Sequence, residues 1–220
     1  MNRKLLLLGG GGHCKSIIDT LLQLHTYSAI GIVEKQDVEK ASILTVPIVG
    51  RDRDVLTLFE QGYTYAFVSL GSIGNIVVRR NLFDLVENIG FMIPNILDPG
   101  AQVSPHIQLG RGIFIGKHAV LNIGTAVEDC AIINSSAVID HDCHVGSFSH
   151  IAPGTVLCGD VHVGNNTHVG AHSVIRQQVS IGNDVIIGMG SVVLHDIPDG
   201  VIAYGNPCKV IKNRELFNHC

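Results

Sequence analysis

The chain of 220 residues has no tryptophan, only 5% aromatic residues and only 15% charged ones, where an ordinary soluble domain carries about 25% charge. It also lacks a long apolar run. No window approaches the roughly 18 uninterrupted apolar residues of a spanning helix, so no membrane span is expected. Met1-Asn2-Arg3-Lys4 followed by Leu5 to Leu8 imitates a signal peptide, but that run stops at Gly9, short of the roughly 7–15 apolar residues of an h-region. A cytoplasmic protein is expected. The six cysteines (14, 130, 143, 158, 208 and 220) include no C-x-x-C pair, which indicates neither a zinc knuckle nor a redox dithiol but packed free thiols. A net charge of −4 without a basic run leaves no nucleic-acid footprint.

What the chain has is 25 glycines, 12 histidines and a strict repeat. Split into sixes from Val103, it reads VSPHIQ, LGRGIF, IGKHAV, LNIGTA and so on to VLHDIP at 198; all sixteen hexads open with Val, Ile or Leu. The fifth position is always small or β-branched, and glycine recurs at the second. A period of six fits neither the 3.6 of a helix nor the alternation of a half-exposed strand. It fits a short strand plus a turn, with one aliphatic residue per side pointing into a narrow shaft. Such a repeat resembles the left-handed parallel β-helix family, in which three hexads make a triangular coil of 18 residues. Residues 18 apart then stack about 4.8 Å apart: His144 under His162, His150 under His168, His141 on Gly159, and Pro153, Ala171 and Met189 in a third-position column. His144, His162 and His168 read as a solvated ladder.

Before the repeat the pattern alternates between strand and helix. Lys4 to Leu8 reads as a buried strand, Gly9 to Gly12 as a loop, and Cys14 to Leu24 as a helix with Ile17, Ile18, Leu21 and Leu22 on its apolar face. Ile30 to Val33 is a second strand ending at Glu34. Arg51 to Gln61 and Gly74 to Asn88 look helical, with Tyr65 to Leu70 as a strand between them. This βαβαβ order describes a small Rossmann-like unit. Two domains are expected, 1–98 and 99–220. The loop GGGGHC matches G-x-G-x-x-G only in its first two glycines, so it is a weak dinucleotide signal. Glycines feeding a helix N-terminus nonetheless suit a phosphate, and Glu34 stands where an acid can accept from a ribose or base. A tight turn beside a solvated Glu34 is the plain alternative.

The GGxGH-type loop in a small α/β domain, followed by a hexapeptide helix containing IDHDC and FSH and then YGNPCKVIK, resembles the bacterial sugar acyltransferases. In particular, the chain is similar to the UDP-4-amino-sugar N-acetyltransferases of the bacillosamine pathway and their sialic acid O-acetyltransferase relatives. Cys208 departs from the alanine usual in the G-x-P-x-K ending. The resemblance implies a homotrimer, with acetyl-CoA in the groove between neighbouring β-helices and a nucleotide sugar held by the N-terminal domain. It implies His141 as general base with Asp142 as its acidic neighbour, and His150 near the acetyl thioester. Gly11, Gly12, His13, Glu34, Lys35 and Gly71 are the implied nucleotide-sugar contacts. His150, Gly159, Ala171 and Met189 are the candidate cofactor contacts.

That chemistry needs no metal, because a thioester is already activated. It needs a base for the attacking amine or hydroxyl and donors for the oxyanion. Imidazole, with an unperturbed pKa of about 6.5, suits the first task, and a nearby carboxylate would favour the imidazolium formed during attack. Consecutive strand residues face opposite ways, so contact between Asp142 and His141 requires a turn. Lys209, Lys212 and Arg214 are candidates for the CoA phosphates, with a solvated tail as the alternative. Ala171 and Met189 offer either a pantetheine strip or shaft packing. Three further readings stand beside the N-acetyltransferase: a sialic acid O-acetyltransferase, a non-catalytic trimeric scaffold, and a γ-carbonic-anhydrase-like zinc protein. Against the last, the histidine pairs are six apart or stacked, and that class has no GGxGH domain.

Overall fold

The computed structural model describes residues 3–35 and 41–214; Cys220 lies outside the described residues. Contacts divide the chain into two compact units, one reaching up to Gly71 and resuming at Val77–Pro99, the other made of Ser72–Ile76 and everything from Gly100 onward. The assignment of Ser72–Ile76 to the second unit has no counterpart in the sequence pattern.

In the first unit, β1 (Lys4–Leu8), α1 (Gly12–Leu24), β2 (Ala29–Glu34), β3 (Ser42–Ile43), β4 (Val46–Arg51), α2 (Val55–Glu60), β5 (Tyr63–Val68) and α3 (Val77–Ile89) follow in order. The sheet runs β3-β4-β2-β1-β5, with β1 parallel to both β2 and β5. Leu5 to Leu8 are fully buried, as a central parallel strand covered on both faces requires. The expected helix over 51–61 is shorter than its pattern. Arg51 closes β4 beside Glu34, a single 3-10 turn spans Asp52–Asp54, and the α-helix covers only Val55–Glu60. β3 and β4 form an antiparallel hairpin that the sequence did not announce, since Pro47 interrupts the apolar run; the structure puts that proline opposite Ser42 at the sheet margin, where a missing N–H is tolerated.

The second unit is a parallel β-helix of two-residue strands, each made of the sixth residue of one hexad and the first of the next. They stack in register at 18 residues: Val120 on Val138, Ala126 on His144, Ile132 on His150. The three faces carry Val138–Ile139, His144–Val145 and His150–Ile151 in one coil. From Ile115 onward every first-position aliphatic is buried, each worth about 1.5–3 kcal/mol relative to exposure. The buried fifth-position hydroxyls from Thr125 to Ser173 are satisfied by the next coil, as where Ser149 Oγ donates to Gly164 O at 2.6 Å and Thr155 Oγ1 to Gly170 O at 3.0 Å.

The fourth position of the hexad is the turn. From His118 to Asp184 ten non-glycine residues there sit near φ +56° to +62°, a left-handed conformation that costs an L-residue about 1–2 kcal/mol. The cost is offset because from Cys130 onward each of these turn N–H groups reaches a carbonyl of the coil below, as Asp142 N does to Ile123 O at 3.0 Å and Asp160 N to His141 O at 2.9 Å. Aspartate, asparagine, serine and glycine at this position are therefore turn residues before they are anything else.

Candidate active site

In the first unit the chain order reverses between β1 and β5, which makes their carboxyl ends the switch point where open α/β sheets bind ligands. Gly9 to Gly12 leave β1 there. Gly11 caps α1 without a side-chain hydrogen bond, and the first turn of α1 holds no acid, so its N–H groups are a seat for an anion. A side chain at Gly11 or Gly12 would meet no atom within 4 Å: both present bare backbone to open space. Gly10 lies against the Glu34 carboxylate, and Gly71 packs on the His13 side chain, where a Cβ would stand 3.4 Å from His13 Cβ. Burial, with Arg79 second, pushes the His13 imidazole down to about 4, so His13 is neutral near pH 7. Lys35 is exposed just beyond β2. Arg79, on α3 and 3% exposed, was not singled out by the sequence; a charged residue within an amphipathic pattern gives no sign that it is buried.

In the second unit, His141 occupies the corner between the faces of Val138–Ile139 and His144–Val145. Asp142, at φ +59°, is that corner's left-handed turn, and the turn swings its carboxylate back so that His141 Nδ1 and Asp142 Oδ2 lie 2.8 Å apart. Period-2 alternation does not apply at a corner, which answers the question the sequence left open. With Nδ1–H donated to the carboxylate, Nε2 is the acceptor, and it makes no hydrogen bond among the described residues. Asp140 Oδ1 accepts from His141 N at 2.8 Å and from Asn122 Nδ2 at 2.9 Å, fixing the backbone beneath the ring. The hydrogen bond that the Asp142 carboxylate accepts is the main cause that raises the His141 pKa, opposed by desolvation and reinforced by the charges of Asp140, Asp142 and Asp160.

Two glycines make room for this pair. A Cβ at Gly159 would stand 2.5 Å from His141 Nε2, and one at Gly124 would overlap the Asp142 carboxylate. Each lies one coil from its partner, at a spacing of 18. That spacing is the signal by which a sequence alone can find the pocket.

His150 lies elsewhere. It opens a strand of the third face, with Nε2 3.1 Å from Asn134 Nδ2 and Nδ1 3.3 Å from Ser72 O. Asn134 Oδ1 accepts from Ser135 N, which turns the amide N–H toward the imidazole. Ala171 and Met189 follow on the corner after this face; Met189 is 81% exposed, so shaft packing is ruled out for it. The candidate cofactor residues thus divide within one chain between the His141–Gly159 corner and the His150 side. Arg214 is not a free cation: its side chain is 7% exposed, 3.9 Å from Asp184, and bonded to Gly74 O. Nor is His168 part of a solvated ladder, since it is buried at 8% exposure. A cleft of about 450 Å³ bordered by Glu128, Asp129, His144 and Ser147 contains none of the expected site residues.

Residues 4–86 match the PglD N-terminal domain, and 142–177 and 160–195 match the bacterial transferase hexapeptide (six repeats). PerB from Caulobacter crescentus, whose crystal structure holds CoA and GDP-perosamine, is 37% identical with TM-score 0.87, over 95% of this chain and 97% of that one. The acetyltransferase domain of PglB from Neisseria gonorrhoeae, in complex with acetyl coenzyme A, is 33% identical with TM-score 0.85, over 96% and 100%. The chain belongs to the hexapeptide-repeat sugar N-acetyltransferases. WeeI from Acinetobacter baumannii, 20% identical with TM-score 0.64 over 96% of this chain and 100% of that one, shares the fold.

As a member of that family the chain is an acyltransferase whose second unit is a left-handed parallel β-helix and whose first is a Rossmann-like domain. Among the described residues no group of three or more His, Cys, Asp or Glu side chains is arranged to hold a metal ion, and no helix is long and apolar enough to cross a membrane.

Proposed function

We propose that this acyltransferase moves the acetyl group of acetyl-CoA onto the amino group of a nucleotide-linked 4-amino-4,6-dideoxy sugar, with His141 as general base. The observation that carries the reading is the His141–Asp142 contact of 2.8 Å, set over a glycine and leaving Nε2 open. The amine nitrogen bonds to the thioester carbonyl carbon while its proton passes to Nε2. Asp142 favours the imidazolium so formed. Collapse of the tetrahedral intermediate breaks the C–S bond, and the departing thiolate takes the proton from His141. Proton transfer of this kind is worth about 10²–10⁴-fold.

The bare loop at Gly11 and Gly12, with His13, Glu34, Lys35 and Gly71 around it, is the proposed nucleotide-sugar seat. The diphosphate lies at the N-terminus of α1, and Glu34 accepts from the nucleoside. The family resemblance points to UDP. PerB, the relative whose structure holds a named sugar nucleotide, binds a GDP sugar, which makes GDP the second reading. Acetyl-CoA is proposed to lie between neighbouring β-helices of a homotrimer, because His141 with Gly159 and His150 with Ala171 and Met189 belong to different edges of one chain and a neighbour joins them. Buried or half-buried free thiols at Cys14, Cys130, Cys143, Cys158 and Cys208 support a reducing, cytoplasmic setting.

His141→Ala tests the base. Turnover should fall at least about 10²-fold while acetyl-CoA affinity, read by titration calorimetry, stays within about threefold. Near-normal turnover would reject the assignment. Transfer to a sialic acid hydroxyl in place of the amine would replace the acceptor.

A further inference from the structure

The segment Ser72–Ile76 crosses the face of the β-helix that carries His150, His168 and Ile186 one above another. It touches that column at both ends. Ser72 O accepts from His150, and at Gly74 the backbone comes so close that a Cβ would stand 3.0 Å from Ile186 Cδ1. Gly74 has φ +81°, and Asn75 N bonds back to Ile73 O at 3.0 Å, which is the rarer form of γ-turn, with positive φ at its centre, and favours glycine. Its carbonyl is held by Arg214.

His168 is the rung between the two contacts. It is buried, as are Phe114 and Ile132 lower on the same face, whereas the sixth-position residues His144, His162, Val174 and Ser180 of the other faces are half-buried or exposed. Its ring meets the His150 ring at 4.9 Å and 68°, edge to face. Its Nδ1 is buried and has no hydrogen-bond partner among the described residues. An orphaned buried imidazole nitrogen is destabilising, and an aliphatic residue would fill the column without that cost. What the imidazole supplies is an aromatic ring that stays uncharged, its pKa pushed by burial down to about 4.

We propose that His168 is a positioning residue for His150: its covered ring, packed edge to face, holds the His150 imidazole in the single neutral tautomer in which Nδ1 donates to Ser72 O and Nε2 accepts from Asn134. Ser72 O can only accept, so Nδ1 must carry the proton. The Asn134 amide can then only donate to Nε2. A rotation or tautomer exchange at His150 would break both bonds, and the neighbouring ring opposes that rotation. His150 therefore serves as a fixed hydrogen-bonding element and not as a second base. The significance for turnover rests on the reading of His150 as a residue beside the thioester; the tautomer itself does not.

Ring ¹⁵N shifts of His150 in the wild-type protein, read by long-range ¹H–¹⁵N correlation from pH 6 to 8, should show the Nδ1–H form throughout. His168→Phe, which keeps an aromatic ring, should preserve that form and stay within about twofold of wild-type kcat. His168→Leu should show mixed tautomers and lose about tenfold in kcat, with KM for the sugar nucleotide changed less than twofold and the melting temperature within a few degrees. An Nε2–H form in the wild-type protein would overturn the proposal whether or not either variant folds. So would an unchanged tautomer and kcat in His168→Leu. If the tautomer behaves as stated while kcat does not respond, the placement of His150 beside the thioester is what fails.

Discussion

Two histidine ladders stand on adjacent faces of the β-helix in the same hexad position, and only one is covered. His144 and His162 stack at 6.1 Å and 28°. His144 is 37% exposed and 3.1 Å from Glu128 Oε1, in an acidic patch open to solvent, where Ser147 holds the Glu128 carboxyl below its usual range. His150 and His168 meet at 4.9 Å under Ser72–Ile76, with both nitrogens of His150 engaged. Period and residue type are the same in both. The difference is the covering segment, and it turns a solvated pair into one with a defined tautomer and a neutral, buried partner. Exposed polar contacts such as His144–Glu128 contribute at most about 1 kcal/mol, whereas a desolvated histidine alters both geometry and titration.

The comparison breaks most plainly if the ladders respond alike to truncation. His150→Ala should lower turnover about 10²-fold, the scale of misplacing a group beside the reacting atoms, measured by CoA thiol release. A smaller effect, about tenfold, is expected at the exposed corner from Gly159→Ala, because the new methyl displaces the end of the His141 ring while the shaft is untouched; thermal melting should hardly change.

Asp142→Asn addresses protonation at the same corner. A general base must be neutral to act, and Asp142 raises the His141 pKa, so the acid limb of kcat/KM lies above that of an ordinary histidine. Removing the carboxylate should move the limb to lower pH and also reduce kcat, by about tenfold. A limb that stays in place would separate Asp142 from the base.

Stability sharpens the contrast further. His13 and His168 have folded pKa values depressed to about 4, so unfolding takes up protons below about 6.5. Their stabilising effect is complete above that pH and is lost as pH falls toward about 4. Melting temperature should drop between pH 7 and pH 5, and His168→Phe should drop less. The smallest effect belongs to the open ladder: His144→Ala should change unfolding free energy by about 0.5 kcal/mol or less and leave turnover within about twofold.

The repeat was legible because its period is set by one aliphatic residue per strand, and every such position from Ile115 onward is buried. His141 stood out as a candidate through the motif around it, and the glycine against its ring was legible through the 18-residue spacing. Asp142 reaching back to His141 was not, because the left-handed turn at the fourth position appears only once the corner is built. His168 was misplaced for a related reason: Ser72–Ile76, which touches the rungs on either side of it, lies almost a hundred residues earlier, and periodicity records no long-range cover. Arg214, read either as a CoA-phosphate contact or as part of a solvated tail, instead holds the carbonyl of Gly74. The β3–β4 hairpin escaped notice because Pro47 and a two-residue strand leave no alternation to read.

The most direct measurement is product identity. The protein would be incubated with acetyl-CoA and, separately, UDP-, GDP- and dTDP-linked 4-amino-6-deoxy sugars, with products examined by mass spectrometry and NMR. The account predicts one molecule of CoA released for each sugar that gains an acetyl group in amide linkage to the 4-amino nitrogen, in the wild-type protein and not in His141→Ala. Release of CoA without an amide product, an ester on a sugar hydroxyl, or equal amide formation in His141→Ala would contradict it.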